Sequence, residues 1–161
     1  MDGRHWPDPE QAHTFRAFLQ AANLLLDRLD RELQRTAEMP LAYFEILACL
    51  AQAPDRTLRM SDLAEHLHAS RSRLSHSVAR LEERGWVQRI SCPTDKRGTY
   101  AELTRSGVAA LDHAAPGLAR CVDQHLFAQL TPAQMAELRC MSEAIAGHLC
   151  TLEPDGPVER F

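Results

Sequence analysis

A mainly α-helical chain carrying one small β-wing is the fold class this sequence predicts. Three observations predict it. Apolar residues step by three and four along most of the chain, residues 61–84 break into two short helices across a turn, and two short strand-like runs flank a polar tip at 93–98. Helix, turn, helix, then hairpin is the order of a winged helix-turn-helix. Here long helices suited to dimerisation flank it on both sides.

Each element has its own local reason. From Pro9 to about Arg35, Phe15, Phe18, Leu19, Ala22, Leu25, Leu26, Leu29 and Leu33 trace one face of a long amphipathic helix. Pro40 suits the first position of a second helix, whose buried side is Tyr43, Phe44, Ile46, Leu47 and Leu50. Ala53-Pro54-Asp55-Arg56 closes that helix, and Thr57-Leu58-Arg59-Met60 is an extended piece suited to pair with the hairpin edge. Ser61 is the expected N-cap of the third helix, with Leu63, Ala64 and Leu67 facing inward. His68-Ala69 form the turn. Ser70 caps a fourth helix that runs to Arg84, where Gly85 stops it.

Trp86–Ile90 and Thr99–Leu103 read as the two strands of the hairpin. Thr104 caps a fifth helix, bent near Pro116, with Val108, Leu111, Ala115, Leu118, Val122 and Leu126 predicted inward. Thr131-Pro132-Ala133-Gln134 is a capping box opening a sixth helix through Met135, Leu138, Met141, Ile145 and Leu149. The predicted organisation is a helical dimerisation region at 9–36 and 104–150, a winged helix-turn-helix at 40–103, and a flexible tail at 151–161. Helices from both chain ends carry more apolar surface than the central module can cover, which predicts a homodimer.

Composition narrows the function. A 45% hydrophobic content supports a packed core, and no run reaches the roughly 20 apolar residues of a bilayer span. The first residues, Met1 to Pro7, lack the apolar centre of a secretory signal, so the expected location is cytoplasmic, away from the membrane. The net charge of −4 hides an uneven distribution. Residues 56–105 hold ten basic and six acidic residues, while the remainder holds 8 basic and 16 acidic. A positive block inside an acidic chain marks the face that meets a polyanion.

The fourth helix sharpens this. At about 100° per residue, Leu74, Val78 and Leu81 fall on one side and Ser72, His76 and Ala79 on the other. Ser75 flanks that outward face, as do Arg73 and Arg80, and no acidic residue interrupts it before Glu83 at the far end. Small polar residues let a helix backbone approach a groove floor, and arginine bonds guanine edges bidentately. Ser70, Arg71 and Ser72 start the helix, where free N–H groups suit phosphates. The predicted double-stranded DNA contacts are therefore Ser70, Arg71, Ser72, Arg73, Ser75, His76 and Arg80, joined by the cations Lys96 and Arg97 at the hairpin tip.

The segment Asp95-Lys96-Arg97-Gly98-Thr99-Tyr100-Ala101-Glu102-Leu103-Thr104 resembles the wing of the MarR family of bacterial transcription regulators. Its aspartate, the arginine two residues later and the leucine-threonine pair opening the next helix carry the likeness. Arg80-Leu81-Glu82-Glu83-Arg84-Gly85-Trp86-Val87 resembles the family's junction of recognition helix and wing. The resemblance implies a homodimer closed through the first, fifth and sixth helices, working on a pseudo-palindromic operator, most often as a repressor. It implies that Arg97 enters a minor groove with Asp95 orienting it; narrow, electronegative grooves favour arginine. It also implies a small aromatic or anionic effector between the dimerisation helices and the DNA-binding lobe. Trp6, His13, Arg16 and Tyr43 are the residues near that junction with the matching chemistry.

Two alternatives stand beside this reading. One is a redox-responsive regulator using Cys92, whose neighbours Arg89, Lys96 and Arg97 would lower a thiol pKa. The other is a winged-helix module that binds only proteins. The five cysteines lack the paired spacing of a structural zinc site, and Cys49, Cys121 and Cys140 fit small core or interface positions. His66-x-His68 puts two imidazoles on different helix faces, so no metal is expected. Nucleophile-elbow, phosphate-loop and HExxH patterns are absent, so neither catalysis nor a cofactor is expected.

Overall fold

The structure, a computed structural model, describes residues 8–91 and 98–152 of the chain. Helix α1 (Pro9–Ala37) starts at Asp8, whose carboxylate accepts the backbone N–H groups of Glu10 and Gln11 at 2.9 Å each. Proline at its first position supplies helical φ and lacks a donor that would be orphaned there anyway. The helix ends at Glu38 in the left-handed region, φ 50°, with its N–H returned to Gln34. Helix α2 (Leu41–Gln52) is tied back to α1 at once, because the Leu41 N–H donates to Asp30 Oδ1 at 2.8 Å. Pro40 is the cap of α2 and not its first helical residue. Its ψ of 146° is extended while its carbonyl already accepts from Tyr43 and Phe44.

A three-residue turn at Pro54–Arg56 leads into strand β1 (Thr57–Arg59) and helix α3 (Met60–His66). The helix begins one residue before the expected Ser61 cap. Arg59, still extended at the end of β1, occupies the capping position without a side-chain bond, and the Ser61 hydroxyl turns to Asp62 Oδ1 at 2.8 Å. Helix α4 (Arg71–Glu83) follows the turn at His68-Ala69. Strand β2 (Val87–Ser91) and strand β3 (Thr99–Leu103) then form an antiparallel pair from Val87↔Leu103 to Ser91↔Thr99. The extended piece at Thr57–Arg59 pairs with the other edge of β3, giving the order β1-β3-β2. Helix α5 (Arg105–His125) and helix α6 (Pro132–Thr151) complete the chain.

The core is built where α1, α2, α3, α4 and the sheet converge. Leu33, Met39, Leu47, Leu50, Leu63, Val78 and Leu81 are fully buried there. Each such side chain contributes about 1.5–3 kcal/mol relative to exposure, so this cluster holds the helix-turn-helix together. Leu63 and Ala64 are buried as expected, whereas Leu67 is half-buried against the cluster.

Helix α5 departs from expectation. Its buried face is Gly107, Ala114, Gly117 and Cys121, and the larger Val108, Leu111 and Leu118 are only half-buried. Small side chains let α5 lie close against α1; a Cβ at Gly117 would stand 3.3 Å from Thr36 Oγ1. The predicted larger residues are all half-buried, and Val108, Leu111 and Leu118 pack against the core beside this small-residue face. The capping box of α6 is present as read: Thr131 and Gln134 each bond the other's backbone N–H, at 3.3 and 2.9 Å. No residue of α6 is buried.

Candidate nucleic-acid interface

The sequence places α4 on the surface by giving it one apolar stripe. Leu74, Val78 and Leu81 are buried, and Arg71, Ser72, Arg73, Ser75, His76 and Arg80 are exposed. Ser70 caps the helix, its Oγ accepting the Arg73 N–H at 3.3 Å. The first turn contains no acidic residue, and its backbone N–H groups stand beside Arg71 and Arg73 at the positive end of the helix. At the far end Arg80 donates to Glu83 Oε2 at 2.8 Å, and this bond raises the guanidinium pKa above its ordinary value.

Arg89 is a site residue that the outward-face argument missed. From β2 it donates to the Ser75 carbonyl at 2.6 Å and to Ser75 Oγ at 3.3 Å. Its Nε lies 3.3 Å from Glu82 Oε2, and its own backbone N–H donates to Glu82 Oε1 at 2.9 Å. Strand β2 is thus pinned to the middle and end of α4. Ser75 is committed in part to this brace. The signal lay in the sheet register: Arg89 pairs with Ala101, which is buried toward the core, so its side chain, though exposed, reaches α4.

Between the start of α3, the start of α4 and the hairpin strands lies a hollow of 420 Å³. Arg59, Arg71 and Arg89 line it together with Ser61, Ser75 and Thr99. Three guanidinium groups around hydroxyls make a concave, polar surface suited to a phosphate backbone. Asp95, Lys96 and Arg97, the predicted tip contacts, lie outside the described residues, as do Cys92 and Trp6.

The predicted effector residues are not gathered in one chain. His13 and Arg16 are exposed on the first turns of α1, whereas Tyr43 is half-buried near its other end. The start of α2 is bonded at Asp30, fourteen residues beyond Arg16, or about 21 Å along a helix. An apolar hollow of 470 Å³ does open near the start of α1, lined by Phe15, Phe18 and Thr14 and by Ile145 of α6. Burial pushes the Cys49 thiol pKa up, away from the thiolate form that oxidants attack. Cys121 is buried, while Cys140, expected at a core or interface position, is exposed on α6, as is Cys150. Among the described residues no cluster of three metal-ligating side chains occurs, and no helix is long and apolar enough to cross a membrane.

Comparison with known proteins agrees with this geometry. Residues 37–98 match the model of the MarR family. The transcriptional repressor MprA of Escherichia coli K12 is 27% identical over 115 residues, which is 71% of this chain and 65% of that protein. The chain thus spans slightly less than two thirds of the length of that curated relative. Among solved structures, Sco3205 of Streptomyces coelicolor, a MarR family transcriptional regulator in complex with DNA, is 44% identical with a TM-score of 0.87. That likeness covers 94% of this chain and 97% of the other. AbsC, a MarR family regulator from the same organism, is 33% identical over 91% of this chain and 99% of its own, with a TM-score of 0.85.

Proposed function

This chain belongs to the MarR family of transcriptional regulators, and we propose that it binds duplex DNA as a homodimer on a pseudo-palindromic operator, acting as a ligand-responsive repressor. The observation that carries the reading is the exposed face of α4. It offers Arg71, Ser72, Arg73 and His76 without an acidic residue among them, on a helix braced from behind by Arg89. A solvated helix face ordinarily mixes both charge signs; a cationic, small-residue face fits a groove.

In this reading Arg73 reads base edges, Ser70, Arg71 and Ser72 hold phosphates, and Arg80 follows the backbone. Arg97 probes the adjacent minor groove with Asp95 orienting it, and Lys96 adds a phosphate contact. Dimerisation supplies the second α4, and a twofold axis places the two helices in successive major grooves about 34 Å apart. The apolar faces of α1 and α6 support that assembly. Phe18, Met141, Ile145 and Leu149 are large and exposed in the single chain.

An aromatic or anionic effector would act by favouring one spacing of the two recognition helices over another. Because His13 and Arg16 stand far from Tyr43 in one chain, an effector site using all three takes residues from two chains.

Selection of duplexes by the purified protein, followed by binding at increasing salt, tests the proposal. The expected result is one enriched, twofold-symmetric sequence whose affinity falls steeply with salt. Enrichment of no sequence, with salt-insensitive or absent binding, refutes it.

A further inference from the structure

Arg84 is the last side chain of the recognition helix before the chain turns at Gly85, and it points away from the DNA-facing side. Its Nη1 donates to the backbone carbonyl of Glu38 at 2.9 Å, across 46 residues of sequence. Its guanidinium carbon lies 4.9 Å from the centre of the Trp86 ring and 5.8 Å from that of Tyr43. Planar guanidinium over two aromatic faces is a geometry that ammonium on a flexible stem does not reproduce.

Four elements meet at this one residue. Glu38 ends α1 in the left-handed conformation, Tyr43 lies on α2, Trp86 leads into β2, and Arg84 terminates α4. Glu38 itself is held, since its N–H returns to Gln34, and α2 is fastened to α1 through Asp30. The acceptor that Arg84 grips is therefore part of the dimerisation helix and not a free loop. Arg89 fixes α4 to the wing; Arg84 fixes it to α1.

We propose that Arg84 is a positioning residue that sets the angle of α4 against α1, and through it the half-site spacing the dimer accepts. The proposal rests on the reading of the chain as a dimeric operator-binding protein. A recognition helix anchored only by apolar packing can rock about its buried stripe. A directional bond to the end of α1, with two rings near the guanidinium, restrains that motion. Rotation at α4 translates into a change in the distance between the two reading heads, so the tie acts on spacing more than on contact chemistry.

The test uses the full chain and a duplex selected by it, with the centre of that duplex lengthened or shortened by one base pair. Fluorescence anisotropy reads binding of the wild type, Arg84→Gln and Arg84→Lys to the three spacings and to random duplex. Thermal melting and sedimentation check that each variant is folded and assembled. The expected result is that Arg84→Gln lowers the preference for the selected spacing about fivefold to tenfold, with random-duplex binding nearly unchanged. Arg84→Lys, which keeps the charge but not the planar fork, is expected to lose most of the same preference.

An unchanged spacing preference in Arg84→Gln overturns the proposal. So does an equal loss on every duplex, or full rescue by lysine, either of which makes Arg84 a simple charge contact. Should Arg84→Gln fail to fold, Tyr43→Leu removes one ring while leaving the arginine, and the same comparison decides. A wild-type chain that selects no duplex ends the DNA-binding reading itself, and the positioning role with it.

Discussion

Helices α4 and α6 both face solvent in the single chain, yet they expose opposite chemistry. On α4 three apolar side chains are buried and the outward residues are serine, histidine and arginine. On α6 no side chain is buried, and Met135, Met141, Ile145 and Leu149 stand 39%, 55%, 52% and 57% exposed. Exposure alone says that a helix lacks a partner; the exposed residue types say which partner. A cationic face with its own anchors is complete as a fold and open only toward a polyanion. An apolar face without anchors is incomplete as a fold, and in the proposed homodimer a second copy of the same chain supplies the matching surface.

The largest effect that would break this comparison lies on α6. Ile145→Asp places a charge in the middle of the proposed interface and should weaken self-association by about 2–4 kcal/mol, read by sedimentation at several concentrations. An assembly state indistinguishable from wild type would mean that α6 does not face a second copy. Next comes the hairpin tip. Arg97→Ala should cost operator binding about 1–3 kcal/mol while leaving sedimentation unchanged, and a gel-shift titration with equal midpoints would remove the wing from the interface.

Arg73→Ala sharpens the polar side of the comparison. It should lower affinity for the selected operator by about 1–3 kcal/mol and leave random duplex nearly untouched. Equal losses on both would recast Arg73 as a phosphate contact. The smallest expected change is Ser70→Ala. Loss of the Arg73 N–H acceptor should destabilise α4 by roughly 1 kcal/mol, visible as a lower melting temperature; an unaltered melt would show that the cap contributes nothing.

Local signals carried much of the fold into the sequence. Ser70, Thr104 and the Thr131–Gln134 box cap the helices they were expected to cap. The β3 boundaries and the pairing of Thr57–Arg59 also follow from alternation and turn residues. Each depends on neighbours within a few positions, which a sequence displays directly. What stayed hidden depends on neighbours far away in sequence. The small-residue face of α5 is meaningful only once α1 lies against it. Arg89 and Arg84 look like two more surface cations until the sheet register and the end of α1 place an acceptor before each. Ser61 lost its capping role because the extended piece ends at Arg59, one residue earlier than expected, and the helix already begins at Met60.

Gly107 has a consequence for how such proteins diversify. A Cβ there would stand 2.1 Å from the Trp86 carbonyl oxygen, which also receives the Thr104 N–H at 3.0 Å and the Thr104 hydroxyl at 3.1 Å. The root of the hairpin is thereby welded to the start of α5, with no slack for one more atom. Insertions or deletions are tolerable at the tip, where nothing of this joint is disturbed, but a single added residue at the root would swing the whole of α5 out of line. Exchanging wings between relatives should accordingly succeed when the splices fall inside strands β2 and β3, and fail when one falls at Trp86 or between Thr104 and Gly107.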